Sequence, residues 1–464
     1  MTERAVLTGP ARFAWFGLTV VLSVSGGARA EERYRPREPN YLWPTLEMAT
    51  ILGCGAGWYV LDRKTNQVDW DDPPLLARFD GDAWRLDTNR FGINFVGHPL
   101  TGALSYGVAR GHDLTPAEAF AFSFGTSLAW ELGVEFREKV SLNDVLLTAP
   151  SGVPIGELVY RTVVEVGAKL APGDPLPEDA RGRFVAGRVA VVGGEPLEAP
   201  GEASGFGRLD AQGDVVWLPG YRGSETLARG FWQAEHLSYR ASVGASASGA
   251  LFDGDATSLL AGYAAQSFAP GAAVRRAFVV GVPLGFRYRA ASLLGMRELL
   301  AVTRFPGVGF EARLEGASWS FAVAGEAAVH MSGLSAPTAR AWRSLEAGQA
   351  GKSVFRREGY FYGAGPFAGI RASGSWGAFG IETAVGWIAA RSLDGLDRAQ
   401  EALTVDEVIV ATRLEASGRF HVAWPASRWG AFVGAETVRW RTRVEDESAE
   451  LAAQTATFGV DATY

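Results

Sequence analysis

The residues best equipped for chemistry lie in the first third of the chain: His98, Glu131, Glu135, Glu138 and Asp144, with Tyr106 and Arg110 close by. Carboxylates at i and i+4 facing a histidine on a neighbouring helix can bind a divalent metal or run acid–base chemistry. The same groups can form a structural network, with Arg110 and the amide of Asn94 neutralising buried acids. A partner-binding surface is the third reading; the structural network is the one the residues favour. Metal binding lacks its customary sequence support. There is no HExxH, no second histidine at helical spacing and, with Cys54 the only cysteine, no cysteine pair. No metal or cofactor is expected on this ground, and no G-x-S-x-G nucleophile motif is present.

The elements that must position these side chains are helical. Pro99 suits a first helical turn, where no N–H is missed, and the helix it opens carries Gly102, Tyr106 and Arg110 on nearly one face. Thr115-Pro116-Ala117-Glu118 is a capping box with proline at the first helical position. The helix it starts is expected to reach about Lys139, with Ser127, Glu131, Glu135 and Glu138 as a polar stripe. Ser141 can cap a further short helix, with Asp144 three residues on, and Gly156-Glu157 precedes another.

Together these segments read N-F-V-G-H-P-L-T-G-A-L-S-Y-G-V-A-R, W-E-L-G-V-E-F-R-E-K-V-S-L-N-D and I-G-E-L-V-Y-R. The pattern resembles a bacterial family known only as a domain of unknown function (number 3943). The motif positions are Trp84, Asp87, Asn94, His98, Pro99, Gly102, Tyr106, Ala109, Arg110, Trp130, Glu131, Glu135, Ser141, Asn143, Asp144, Gly156, Glu157, Tyr160 and Arg161. The resemblance covers about eighty residues and implies no known activity. Ser151-Gly152-Val153-Pro154 stands where that family pairs two glycines, so this turn is expected to differ. A looser similarity runs to VanZ-like membrane proteins, which also space His, Tyr, Glu and an S..D motif across helices.

Upstream, Tyr41 to Leu61 is the most apolar stretch after the first thirty residues and carries Gly53, Gly55 and Gly57. It reads either as a membrane or partner-packing helix or as a buried helix of the helical domain; the glycines weaken a free-standing helix and favour the second. Downstream, the stretch 171–230 is rich in Pro, Gly and acidic residues and reads as linker or first barrel strand.

From Phe231 onward the period changes to two. Val410, Thr412, Leu414, Ala416, Phe420 and Val422 alternate with Arg413, Glu415, Ser417, Arg419 and His421. Val438, Trp440, Thr442 and Val444 alternate in the same way with Arg439, Arg441 and Arg443, and Phe278 to Tyr288 and Phe379 to Trp387 repeat the pattern. The runs reach the roughly 9–11 residues that a tilted membrane strand requires. The last stretch sets Ala456, Phe458, Val460, Ala462 and Tyr464 against Thr455, Thr457, Gly459, Asp461 and Thr463, and resembles the closing strand of bacterial outer-membrane β-barrels. Connections are expected to alternate: long at 333–353, 391–404 and 445–450, short at 373–376 and 424–428. Eleven strands from Phe231 and one from the linker give an even count. Gly281, Gly285, Gly380, Ala384 and Gly386 face inward, leaving room either for a plugging helical domain or for the barrel's own Arg and Glu side chains. His236, His330 and His421 are adequately explained as lumen-facing strand residues, and His112 as a solvated loop residue.

The expected fold is therefore mixed: a small α-helical domain (31–170) followed by an antiparallel transmembrane β-barrel of about 12 strands (231–464). Residues 1–30 read as a cleaved signal peptide, with Arg4 and Arg12, the apolar run Phe13–Val24 and Ala28-Arg29-Ala30. The formal charge of −7 becomes −9 when three Arg and one Glu leave with that segment, which excludes the simple basic-patch argument for nucleic acid. The expected location is the outer membrane, and the expected partners are its lipid and either envelope proteins or a small solute. The expected function is envelope-related: transport, assembly or structural. The alternative is an outer-membrane enzyme acting on lipid or cell-wall material through His98 and Glu131, with Glu135 and Asp144 as further candidates. A VanZ-like helical inner-membrane protein is the third reading, which the alternating C-terminal half opposes.

Overall fold

In the computed structural model the described residues are 39–61, 72–87, 89–169, 179–195, 201–204, 210–217, 229–231, 238–246, 251–267, 273–293, 296–335, 359–393, 408–425, 427–444 and 447–463. The signal-peptide stretch, His236 and Tyr464 lie outside them. The chain divides into a helical unit and a sheet unit near position 175.

The helical unit contains α1 (Leu42–Leu61), α2 (Ala77–Asp80), α3 (His98–Gly111), α4 (Pro116–Ala129) and α5 (Leu142–Lys169). A two-residue parallel pairing joins β1 (Trp84–Arg85) to β2 (Val140–Ser141). The capping box forms at α4: Thr115 accepts from the Glu118 N–H, and the Glu118 carboxylate accepts from the Thr115 N–H. The helix does not reach Lys139. It gives way at Trp130 to a π-helical turn, Trp130–Val134, because Arg78 donates to the carbonyls of Glu131 and Glu138 and holds the chain in its turn. A matching π-helical turn, Ile93–Gly97, leads into α3.

The two short helices expected after Ser141 are one helix, α5, with Pro150 and Pro154 inside it. Ser141 Oγ accepts from the Asp144 N–H at its start, as expected. Packing explains the continuity. A Cβ on Gly102 would lie 1.9 Å from the Thr148 carbonyl oxygen, and one on Gly152 would lie 2.3 Å from the Gly102 carbonyl carbon. Backbone meets backbone there, and only glycine on both helices allows it.

Helix α1 corrects the buried-helix reading. Pro44, Met48 and Tyr59 are buried, whereas Leu42, Trp43, Leu46, Ile51, Trp58 and Leu61 are exposed. Only Gly55 makes a close approach, to the Trp130 ring, and Gly53 and Gly57 meet nothing. No described helix is long and apolar enough to cross a membrane.

The sheet unit is a closed antiparallel barrel. Its strands are β3 (Asp179–Glu195), β4 (Gly201–Ser204), β5 (Asp210–Trp217), β6 (Arg229–Phe231), β7 (Ser238–Ser246), β8 (Leu251–Ser267), β9 (Val274–Leu293), β10 (Met296–Gly316), β11 (Trp319–Ser335), β12 (Phe361–Trp376), β13 (Phe379–Ser392), β14 (Ile409–Ala423), β15 (Trp429–Val444) and β16 (Glu447–Thr463). From β7 to β16 each strand pairs with its neighbour in sequence order, β5 pairs with β3 and β7, and β16 pairs with β3 from Thr463↔Arg181 to Glu450↔Glu195, which closes the wall. Segments β4 and β5 share one wall position beside β3, and β6 and β7 share one beside β8, so fourteen segments make twelve wall strands. The expected total stands, with a different origin: the stretch 171–230 supplies two wall strands rather than one, and the barrel begins at Asp179.

Three connections at one end are tight: residues 317–318, 377–378 and 424–428. The turn expected at 373–376 sits at 377–378, where Gly377 adopts φ +55°, and Trp376 still pairs with Phe379. Connections at the other end include 336–360 and 393–408. The link expected to be long at 445–450 is only two residues, since Val444 pairs with Glu447.

Alternation divides outside from inside as expected on β13, β14 and β16: Ile381, Val385, Leu414, Phe420 and Phe458 are exposed, while Glu382, Arg413 and Thr455 point inward. The upper half of β15 is inverted relative to the sequence reading. Val438 and Trp440 are buried inside, and Arg439, Arg441 and Arg443 lie outside. The cause is unbroken parity, since Val433 must face outward and every second residue after it follows.

Candidate functional site

The first polar knot of the helical unit gathers on the π-helical turns, β1, β2 and the start of α5. His98 opens α3, and its Nε2 lies 3.3 Å from Asp144 Oδ1. Asp87, just past β1, completes a trio in which one donor atom from each of Asp87, His98 and Asp144 falls within 4.8 Å of the others. Amides fix the carboxylates. Asn143 Nδ2 donates to Asp144 Oδ1 at 2.7 Å, its Oδ1 accepts the Asp87 N–H at 2.6 Å, and the Asn89 N–H donates to Asp87 Oδ1 at 3.0 Å. The Ser141 hydroxyl donates to Asn143 Oδ1 at 3.0 Å.

Glu131 is buried on the π-helical turn, where its carboxylate accepts the Ser141 N–H at 2.9 Å. Burial, then the charges of Glu135 and Asp144, push the Glu131 carboxyl well above the usual carboxylate range. Burial and Asp144 raise Glu135 to about 8. Burial and Asp87 raise Asp144 well above its ordinary value. Burial lowers the His98 pKa, against the pull of Asp87, so the imidazole is held neutral. Glu138 lies at the edge of this knot, 3.6 Å from Arg85, and its charge also raises Asp144.

A second knot takes Tyr106 and Arg110, which the sequence reading had grouped with His98. The Tyr106 hydroxyl donates to Glu157 Oε2 at 2.8 Å, and Arg110 Nε donates to the same oxygen at 3.1 Å. Arg161 Nε donates to the other oxygen at 2.7 Å, and the Arg110 guanidinium stacks over the Tyr160 ring. Glu157 is fully buried, so this knot clamps α3 to α5. Gly156 lets the helices close, since a Cβ there would meet the Ala103 carbonyl and the Tyr106 ring. Asn94 is buried and donates from Nδ2 to the Asn89 carbonyl at 3.4 Å. Pro99 occupies the first turn of α3. His112 bonds to Glu47 at 3.1 Å.

Asp87 is the residue that sequence reasoning left out of the site. Its signal was its place in the motif, seven residues before Asn94. Position in a loop gave no hint that the β1–β2 pairing would carry it to Asp144.

Residues 83–178 match a domain of unknown function, DUF3943. The match spans both polar knots of the helical unit. The sheet unit is similar to outer-membrane barrels among solved structures. The translocator domain of autotransporter NalP from Neisseria meningitidis is 10% identical, with 68% of this chain and 98% of that chain covered and a TM-score of 0.19. The outer membrane protease OmpT from Escherichia coli is 8% identical, with 63% and 99% covered and a TM-score of 0.18. The anion-selective porin from Comamonas acidovorans is 8% identical, with 61% and 98% covered and a TM-score of 0.18. Scores this low carry no argument; closure rests on the β16–β3 pairing itself. No curated protein matches the chain.

Proposed function

We propose that the protein is exported through its N-terminal signal to the outer membrane, where the barrel anchors the DUF3943 region and serves a structural or assembly role in the envelope. The outer face supports the membrane reading. The uncharged outward positions run from Phe379 to Ala389 on β13 and from Trp429 to Thr437 on β15, about the 9–11 residues that a tilted strand spends in lipid. Trp376, Trp424 and Trp429 are exposed at the tight-turn rim, the place of an aromatic girdle. Beyond the other edge of the belt, Arg391, Arg441 and Arg443 face outward, where phosphorylated lipid headgroups would meet them.

The observation that carries the anchoring role, rather than that of an open pore, is the filled lumen. Inward side chains Val192, Leu300, Val302, Leu334, Phe361, Ile388, Ile409, Val438, Trp440 and Leu451 pack into one apolar cluster toward the end opposite the tight turns. Next to it, Arg289 joins Asp253, Glu298 and Glu436, and Arg413 joins Glu298. Arg304 joins Asp255 and Glu326. A cavity of about 410 Å³ remains among these side chains. The small inward residues make room for this lattice: a Cβ on Gly285 would strike the Arg304 guanidinium, and one on Gly380 the His421 ring.

The test is an outer-membrane fraction run unheated against boiled, followed by planar-bilayer recording. A heat-dependent shift without porin-sized current steps supports the anchor. Steady large steps would replace it with transport, and a heat-insensitive protein in the inner membrane would overturn the location as well. A second reading, an envelope enzyme using the DUF3943 region, is favoured by one observation: a neutral His98 held beside two buried carboxylates.

A further inference from the structure

We propose that Asp87, His98 and Asp144 bind a first-row divalent cation, zinc or manganese by donor chemistry. This does not depend on the role of the barrel. Among the described residues this is the group of His, Cys, Asp and Glu whose donors converge in this way.

The geometry is close to a coordination sphere. Donors around a tetrahedral zinc stand about 3.3 Å apart, given Zn–N and Zn–O near 2.0–2.1 Å. The His98–Asp144 separation is already 3.3 Å, and the 4.8 Å limit on the trio asks only for a side-chain contraction on binding. The histidine atom that faces Asp144, Nε2, is buried and makes no hydrogen bond. A buried imidazole nitrogen without a hydrogen-bond partner is costly unless something occupies it.

The supporting shell is the kind that metal carboxylates need. Asn89 and Asn143 donate to Asp87 and Asp144 and set the planes of their carboxylates. Charge points the same way. Asp87, Glu131 and Asp144 are buried together, so their negative charge is concentrated in one place. A divalent cation would offset part of that charge. One nitrogen and two carboxylate donors suit zinc or manganese better than magnesium or copper(I). Three protein ligands leave coordination positions for water, the pattern of a site where chemistry occurs rather than a closed structural one.

The competing arrangement is a set of carboxyls that share protons and bind no metal. The experiment uses the full-length protein refolded in detergent, stripped with a chelator, and titrated at pH 7 with Zn²⁺ or Mn²⁺ in competition with a chromophoric chelator. One ion per chain is expected, with binding weakened at least tenfold in Asp87→Asn and in His98→Ala. X-ray absorption of the zinc-loaded wild type is expected to show one imidazole among oxygen donors, a readout that needs no variant to fold. Absence of stoichiometric binding of both ions, or a zinc spectrum lacking imidazole, overturns the proposal. So does affinity unchanged in both variants, when their helical circular dichroism matches wild type.

Discussion

Glu135 shows how burial becomes a measurable pH dependence. Its carboxyl titrates near 4.5 in the unfolded chain and near 8 in the folded one. Between those values the folded state holds a proton that the unfolded state has released, so stability falls as pH rises through that window and levels above it. Urea unfolding followed by helical ellipticity in chelator, from pH 5 to 8, is expected to show this decline, and Glu135→Gln is expected to reduce its slope. Equal slopes in both proteins would remove Glu135 as the cause. The Glu157 knot makes the opposite kind of prediction. Glu157→Ala removes the buried carboxylate that Arg110, Arg161 and the Tyr106 hydroxyl share, and is expected to cost about 3–5 kcal/mol. Tyr106→Phe leaves Glu157 with both arginines, so its cost is expected to be about 1 kcal/mol. Both are read from the same urea curves, and a smaller loss in Glu157→Ala than in Tyr106→Phe would refute the clamp.

At the scale of elements, the seam between α3 and α5 decides how the helical unit is assembled. Gly102→Ala drives a methyl group into the Thr148 carbonyl, whereas Gly107→Ala, on the same helix, meets nothing within 4 Å. The first is expected to destabilise by about 1–3 kcal/mol or more, and the second to stabilise by up to about 1 kcal/mol through helix propensity. Opposite signs on one helix are the signature; matching signs would show that the seam opens without cost. The helix start at Pro99, the capping box at Thr115 and the Ser141 cap could all be read locally, because each is satisfied within four residues. The end of α4 could not. It depends on Arg78, more than fifty positions upstream, reaching the carbonyls of the π-helical turn.

At the scale of the whole barrel, Glu298 is the centre of the inner lattice, accepting from Arg289, Arg413 and Trp440. Glu298→Ala is expected to lower the temperature at which the folded band converts to the unfolded one on a gel, because two buried guanidiniums lose an anion. Arg439→Ala, on the outer face, is expected to leave that temperature nearly unchanged, since its pair with Glu450 is largely exposed. Equal shifts in the two variants would show that the lumen lattice does not stabilise the wall.

The sequence alone determined the change from helical period to strand period, the even number of wall strands and the residue types on each face of most strands, because these follow from local alternation and from closure. It also marked the motif residues of the DUF3943 region, though not their partners. Tertiary structure decided that Tyr106 and Arg110 serve Glu157 while His98 faces Asp87 and Asp144, that two strands come from the stretch 171–230, and that the upper half of β15 turns its tryptophan inward. Each of these depends on contacts between residues far apart in the chain, or on parity carried along a strand past the edge of the apolar belt, and neither is written in a local window of residues.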